Sequence, residues 1–509
     1  MTTGAHTSRH PRAALAVVCA AVFMAMLDNL AVNNALPSIA ADLDAGVSKL
    51  QWVVAAYTLV FAATLLSAGV VGGRLGQHRA FVAGLLGFMT GSALASAAGD
   101  WGLLVTGRVV QGLGAAVVLP AGTALLRHVF TDGAARTRAL GMRGAAGGLG
   151  VALGPAIGGP LTSTLGWRSV MWINLPVGAA TLAAAVRVLP RPPAVPLRWD
   201  PAGQVLAVCG LGSLVYALVQ GPVDSWHTPP VLAALAMAAV ALPAFVVVEA
   251  RGQQPMLDLA LFRDRPSGAA AVAVFTSSAG LFGSIFFLTF YLQGILGWSA
   301  AGAGTVFLSA SAFIALTSPV AALLTGRYGV RVPLSAGLAL NTLALLGLSR
   351  YGRHAAYADY GWLLPVLGAG AGLLFVPTVI TMVERAPAAR AGSASAVVDT
   401  LREVGGAVGV AALGAVLTTR MRTALRDRAT DAGLPQAEAR HLADAAVDGG
   451  PGHGFDGRHP AAGWVQDSFI DGLHLALRCG ALAMACTLLV AVVLLRTRTK
   501  GTVGSVWVN

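Results

Sequence analysis

Apolar residues run along this chain in about fourteen blocks of roughly 18 to 25, separated by short links that usually carry arginine. In lipid an unpaired backbone amide costs several kcal/mol, and a helix pairs its own amides, so blocks of this length predict membrane-spanning α-helices. The expected spans are residues 13–35, 51–72, 80–98, 103–126, 142–163, 169–189, 202–220, 230–249, 268–292, 301–324, 332–350, 361–383, 395–418 and 469–495. The fold class that follows is an all-α, polytopic membrane protein with fourteen transmembrane helices.

Composition agrees. The 509 residues are 56% hydrophobic and 11% charged, and the mean hydropathy is +0.71. Soluble domains hold roughly 45–50% apolar and about 25% charged residues. A net charge of +12 would point a soluble protein toward nucleic acid. Here the arginines are scattered between apolar blocks, so the expected partner is the lipid bilayer and not nucleic acid. Cys19, Cys209, Cys479 and Cys486 all fall in predicted spans, with no metal-ligand spacing and no disulfide framework. The first block carries Asp28 and continues to about Ala35, so it reads as a retained helix, not a cleaved leader.

The arginines orient the chain. Arg9 and Arg12 precede the first span, Arg496, Arg498 and Lys500 follow the last, and the even-numbered links hold most of the others, such as Arg74, Arg79, Arg127, Arg136, Arg138 and Arg143. The opposite short links offer Lys49, Arg168, Arg350 and Arg353. An asymmetry of roughly five to one predicts cytoplasmic termini. The long outward segment, about 420–467, mixes charges of both signs; its first part, 420–447, has amphipathic helical character, and it ends in GGPGHGFDGRHP.

The two halves echo each other. Gly73-Arg74-Leu75-Gly76 after span two matches Gly326-Arg327-Tyr328-Gly329 after span ten, and Gly112-Leu113-Gly114 with Pro120 matches Gly368-Ala369-Gly370 with Pro377. Arg143 before Gly147-Gly148 matches Arg402 before Gly405-Gly406. The expected organisation is an N-terminal six-helix bundle (1–190), two inserted helices (191–265) and a C-terminal six-helix bundle (266–509) carrying the long outer loop. Parallel repeats of this kind enclose a cavity near the bilayer midplane.

A charge in mid-membrane is expensive, so it faces a cavity, a partner or a proton path. Asp28 in span one and Arg108 near the outer end of span four can see one another across that cavity, as a proton-exchanging site or as a static ion pair. Asp399 and Glu403 lie four apart on one face of span thirteen, with Arg402 beside them. They carry protons or attract a cation, or else snorkel to the nearby cytoplasmic interface. Span five is dense in Gly150, Gly154, Pro155, Gly158 and Gly159, a ridge for close helix approach with a deformable joint. Trp52, Tyr57, Phe287, Tyr291 and Phe375 supply an apolar surface for a bound molecule or anchors at the interface.

These residues together resemble the major facilitator superfamily, and within it the fourteen-helix drug:proton antiporters, over nearly the whole chain. LDNLAVNNALPSI is similar to the family's LDxTIVNVALPxI, with Asp28, Asn33 and Pro37 in register. Arg108 to Ala116, RVVQGLGAA, is similar to RxxQGxGAA and brings Gln111 into the set. Gly150 to Gly159 matches the antiporter motif GxxxGPxxGG, while WRSVMWINLPVG and PMLDLALFRDR are also typical. The resemblance implies the major facilitator fold, a proton-coupling role for Asp28 and Arg108, and a state-changing interface on span five. The gate segment Gly69, Gly73, Arg74, Gly76 and Arg79 departs from the pattern, because Gly73 stands where the family has an acid. Asp399 and Glu403 stand where neutral side chains are commoner, which biases the cavity toward cationic substrates.

The expected function is therefore proton-coupled export of a lipophilic drug or antibiotic-like metabolite from the cytoplasm, through a monomer in a bacterial plasma membrane. No cofactor or metal is expected; the proton gradient drives the cycle. The alternative is transport of another small molecule, by nutrient uptake or passive flow. An ATP-driven pump would need a phosphate loop ending in Gly-Lys-Ser/Thr, and neither Lys49 nor Lys500 sits in one.

Overall fold

In the computed structural model, residues 10–194, 200–252, 257, 259–385, 391–449 and 460–495 are described. Every regular element among them is helical. The N-terminal bundle holds α1 (Pro11–Leu43), α2 (Val47–Leu75), α3 (Gln77–Ser96), α4 (Trp101–Val129), α5 (Gly133–Leu165), α6 (Arg168–Trp172) and α7 (Asn174–Val188). Two inserted helices follow, α8 (Pro201–Asp224) and α9 (Pro229–Arg251). The C-terminal bundle begins with α10 (Ala260–Arg263) and α11 (Arg265–Phe290), which ends in a π-turn (Tyr291–Ile295). It continues with α12 (Ala300–Tyr328), α13 (Arg331–Leu348), α14 (Tyr357–Tyr360), α15 (Leu363–Arg385), α16 (Ala391–Asp431), α17 (Gln436–Gly449) and α18 (Pro460–Leu494).

Among the described residues, thirteen helical segments are long and apolar enough to cross a membrane, α6 and α7 together forming one of them. The fourteenth expected span, α5, has the length at 33 residues, but its glycines, prolines and three arginines make it less apolar. Helix starts follow local chemistry. The side chains of Asp100, Asp132, Asp200, Asp264 and Ser299 each accept a backbone N–H from the first turn of the helix they precede.

The two bundles repeat one packing scheme, and small residues carry it. Gly150, Gly154 and Gly158 of α5 lie against Phe23, Leu27 and Ala31 of α1, one helical turn apart each time. Gly405 and Gly409 of α16 lie in the same way against Phe275 and Ala279 of α11. Gly112 of α4 abuts the Tyr57 carbonyl of α2, and Gly368 of α15 abuts the Ala310 carbonyl of α12. Gly76 and Gly329 close α2 and α12 with φ of 84° and 75°, a left-handed backbone that a side chain resists.

One expected loop is corrected. The gate segment is barely a loop: α2 runs to Leu75, α3 starts at Gln77, and Gly76 alone connects them. In the long outer segment the first part is helical as expected over 420–447, because α16 continues to Asp431 and α17 spans Gln436–Gly449, and α18 then starts at Pro460. Of the glycine-rich stretch, 450–459 lies outside the described residues.

Candidate functional site

Asp28 sits near the middle of α1 and is fully buried, as is Arg108 on α4. An isolated charge at that depth is costly, and the surroundings answer the cost with donors. Asp28 Oδ2 accepts from Arg108 Nη1 at 2.6 Å. Asp28 Oδ1 accepts from Asn174 Nδ2 at 2.6 Å and Gln111 Nε2 at 3.2 Å. Each of these amides also gives a hydrogen to Ser92 Oγ, from Gln111 at 2.7 Å and from Asn174 at 3.3 Å. Arg108 Nε donates to the Val53 carbonyl at 3.2 Å, Nη1 also donates to Gln111 Oε1 at 3.0 Å, and the guanidinium lies over the Tyr57 ring at 4.4 Å. Donors from α4 and α7 thus meet the carboxylate of α1, and α2 and α3 complete a five-helix network whose charges cancel.

The next residue looks elsewhere. Consecutive helical residues point about 100° apart, so Asp28 faces the interior of its bundle while Asn29 faces the other bundle. Asn29 Nδ2 donates to Glu403 Oε2 of α16 at 3.4 Å. Between them is a small cavity with room for about one water molecule. Its walls follow helical spacing: Asn29 and Asn33 from α1, Val54 and Thr58 from α2, Glu403, Gly406 and Val410 from α16, with Phe282 from α11. Glu403 is only 2% exposed, and its Oε1 pairs with Arg402 Nη2 at 3.2 Å. Asp399 pairs with Arg402 Nη1 at 3.5 Å and stays partly exposed. The expectation that both acids lie near the end of their span is corrected for Glu403, because α16 starts at Ala391 and places Glu403 about 18 Å along the helix.

The bundles meet at the end of the molecule opposite the termini. Gly159 of α5 lies against Ala300 and Ala301 of α12, and Gly304 of α12 against the Pro155 carbonyl. Asn34 Nδ2 donates to that Pro155 carbonyl at 3.0 Å, and Gln293 Nε2, carried on the π-turn, donates to the Asn34 carbonyl at 3.0 Å. Gln51 Nε2 donates to the Val410 carbonyl at 3.1 Å, and the Ala301 N–H to Ser163 Oγ at 3.1 Å. At the terminal end the picture reverses: on α5, Gly141, Met142, Gly144, Ala145, Gly148 and Leu149 are exposed. The far end is closed and the terminal end is the looser one.

The remaining expected residues divide. Gly150, Gly154 and Gly158 face α1, and Gly159 and Pro155 face α12, so one short ridge serves two seams. In the gate segment Gly69 has open space, Gly73 and Gly76 are buried, and Arg74 and Arg79 are exposed. None of the six residues expected to line a substrate cavity borders this one-water void. Tyr57 and Gln111 belong to the Asp28 network. Trp52 packs on Tyr216 of α8, with ring centres 6.2 Å apart. Phe287 stacks edge-on with Phe286, Tyr291 donates to the Gly352 carbonyl at 2.7 Å, and Phe375 packs within the C-terminal bundle. These rings are taken up by packing that buries most of their area, while Phe282 and smaller polar side chains border the void between the bundles. Ser92, Asn174, Asn29, Gln51 and Gln293 were not singled out from the sequence; their signal was a polar side chain inside an apolar block.

Known proteins place this geometry. Residues 18–410 match the family model described as Major Facilitator Superfamily. The chain is 34% identical over 480 residues to the multidrug resistance protein Stp of Mycobacterium tuberculosis, covering 92% of this chain and 89% of that protein. It is 33% identical over 497 residues to the tetracenomycin C resistance and export protein of Streptomyces glaucescens, covering 96% and 92%. Among solved structures, a bacterial homolog of the human lysosomal transporter Spinster, inward-facing and unoccupied, matches with a TM-score of 0.66 at 13% identity, covering 96% of this chain and 97% of that one.

Proposed function

The chain belongs to the major facilitator superfamily, and on that premise we propose that it is a proton-coupled antiporter that exports lipophilic drug-like compounds by alternating access. It is a multi-pass membrane transporter, and the arginine asymmetry supports cytoplasmic termini. With that orientation the closed far end faces outward and the looser terminal end faces the cytoplasm. The relatives named for multidrug resistance and for tetracenomycin C resistance and export support the outward direction of transport.

The observation that carries the proton-coupling part is the buried Asp28–Arg108 pair at 2.6 Å. Ionised, Asp28 holds Arg108 and completes a neutral network. Protonated, it loses the charge attraction while keeping its amide partners, and Arg108 leans on Gln111 and Val53. Helix α1 carries this change directly to both seams, because Asp28 lies between Leu27 and Ala31, which seat α5, and beside Asn29, which touches Glu403. A proton moving through 100 mV yields about 2.3 kcal/mol, enough for roughly 50-fold accumulation against a gradient. A carboxylate that must be neutral in one half of the cycle and charged in the other converts that energy into a preference between two packings.

The test uses purified protein in sealed vesicles under an imposed acid gradient, with a panel of fluorescent lipophilic compounds. Asp28→Asn, inserted and folded at the normal level, should abolish gradient-driven flux, and Asp28→Glu should retain part of it. Full activity of Asp28→Asn removes the carboxylate from coupling. Absence of gradient-driven movement of every compound by the unmodified protein refutes the function itself.

A further inference from the structure

The cavity between the bundles offers acceptors to its contents and already holds one cation beside them. Glu403 presents a buried carboxylate. Asn33 lines the same cavity, is 4% exposed, and its Oδ1 is buried without a hydrogen-bond partner. Thr58 gives its own hydrogen to the Val54 and Ala55 carbonyls at 3.1 and 3.3 Å, which leaves its oxygen to accept. Phe282, Val54 and Val410 complete an apolar wall. A group with several N–H donors and a positive charge answers all of these features; an anion meets the carboxylate and an uncharged acceptor leaves Asn33 unpaired.

The partner of Glu403 is replaceable. Arg402 stands between two carboxylates, 3.2 Å from Glu403 and 3.5 Å from Asp399. Asp399 lies one turn nearer the terminal end, and Arg402 and Asp399 are 23% and 29% exposed, against 2% for Glu403. The second bond to Glu403, from Asn29 at 3.4 Å, is long for an N–H donor. Arg143 of α5 is within electrostatic range of both Asp399 and Arg402 and donates to the Leu119 carbonyl at 3.3 Å. The four groups Arg143, Asp399, Arg402 and Glu403 sum to zero charge.

We propose that Arg402 is a resident stand-in for an ammonium group of the cargo: a protonated amine on a lipophilic compound replaces it at Glu403, with Asn33 accepting a second N–H, and Arg402 turns to Asp399. The proposal rests on the export reading and adds its substrate class. Exchange keeps the buried carboxylate paired at every stage, which a simple vacancy would not. It also makes selectivity a competition between two cations for one acid.

The test measures binding of doxorubicin, which carries an ammonium, and of its N-acetyl derivative, which does not, to the full-length protein in nanodiscs by fluorescence anisotropy. A panel of lipophilic primary amines and their N-acetyl counterparts is run beside them. The unmodified protein should favour the amines by about tenfold, a difference of about 1.4 kcal/mol. Glu403→Gln should erase the preference without weakening the acetylated compounds. Arg402→Gln should tighten amine binding several-fold by removing the competitor, and Arg402→Lys should not. Asp399→Asn should weaken it several-fold by confining Arg402 to Glu403. Thermal unfolding of each variant separates loss of fold from loss of binding, and Glu403→Asp, which keeps the charge, should keep the preference. The proposal is overturned if the acetylated compounds bind as tightly as the amines, if no amine binds, or if Arg402→Gln weakens amines as Glu403→Gln does. Gradient-driven flux of an acetylated compound with no preference for its amine leaves the export reading standing and removes this one; no gradient-driven flux of either removes the export reading.

Discussion

Gly158 and Gly159 are neighbours on α5, yet one methyl group on each should have different consequences. A Cβ at Gly158 would lie 2.7 Å from the Ala31 carbonyl oxygen and 2.8 Å from the Ala31 Cα, inside the N-terminal bundle. A Cβ at Gly159 would press on the Ala300 carbonyl oxygen and lie 3.0 Å from the Ala301 Cα, across the boundary between bundles. Ordinary carbon contacts are about 3.5–4.0 Å, so α5 must move roughly 1 Å away from backbone that cannot turn aside. Overpacking of this size costs about 1–3 kcal/mol. In Gly158→Ala the cost falls on every state of the cycle and appears as lost thermal stability. In Gly159→Ala it falls only on the state whose far end is closed, and a bias of about 1–3 kcal/mol shifts the equilibrium toward a far-open state by about 5- to 150-fold. Spin labels at Thr164 and Thr305, both exposed and on either side of the seam, report it: Gly159→Ala should gain a long-distance population that Gly158→Ala lacks. Unchanged distances in Gly159→Ala, or a stability loss equal to that of Gly158→Ala, would refute the assignment of this seam to one state.

Three further outcomes follow from the ion pairs and their supports. Arg108→Gln leaves a buried carboxylate short of its counter-ion and should cost about 3–5 kcal/mol in unfolding experiments, with Asp28→Asn added in the same chain restoring part of it. Ser92→Ala leaves one N–H of Asn174 unpaired and one of Gln111 with only the Met171 sulfur at 4.0 Å, and should cost about 1–2 kcal/mol, read by the same melt. Arg353→Gln breaks a pair to Asp467 that is 3.7 Å long, with both side chains about two-fifths exposed, and should leave the melt within about 0.5 kcal/mol of the unmodified protein; a larger loss would mean that exposed pairs matter here more than their geometry allows.

The sequence by itself determined the class of molecule, because bilayer thickness and backbone hydrogen bonding act on each span separately. Fourteen apolar blocks, the paired glycine motifs and a charge at position 28 are local facts, and they led to the superfamily before any contact was known. The small-residue ridge of span five was legible for the same reason: close approach needs glycine wherever the partner comes from. What neither periodicity nor composition could supply was the partner itself. Only the tertiary structure decided that Asp28 turns into its own bundle while Asn29 turns out to Glu403, since two residues one step apart differ by an angle whose meaning depends on what is packed there. It also decided that Trp52, Tyr57, Phe287, Tyr291 and Phe375 pack elsewhere while Phe282 borders the cavity, and that Gly158 and Gly159 serve different seams. Those outcomes depend on helices far apart in the chain, and the energy that selects them is packing and buried pairing between segments, which no single segment records.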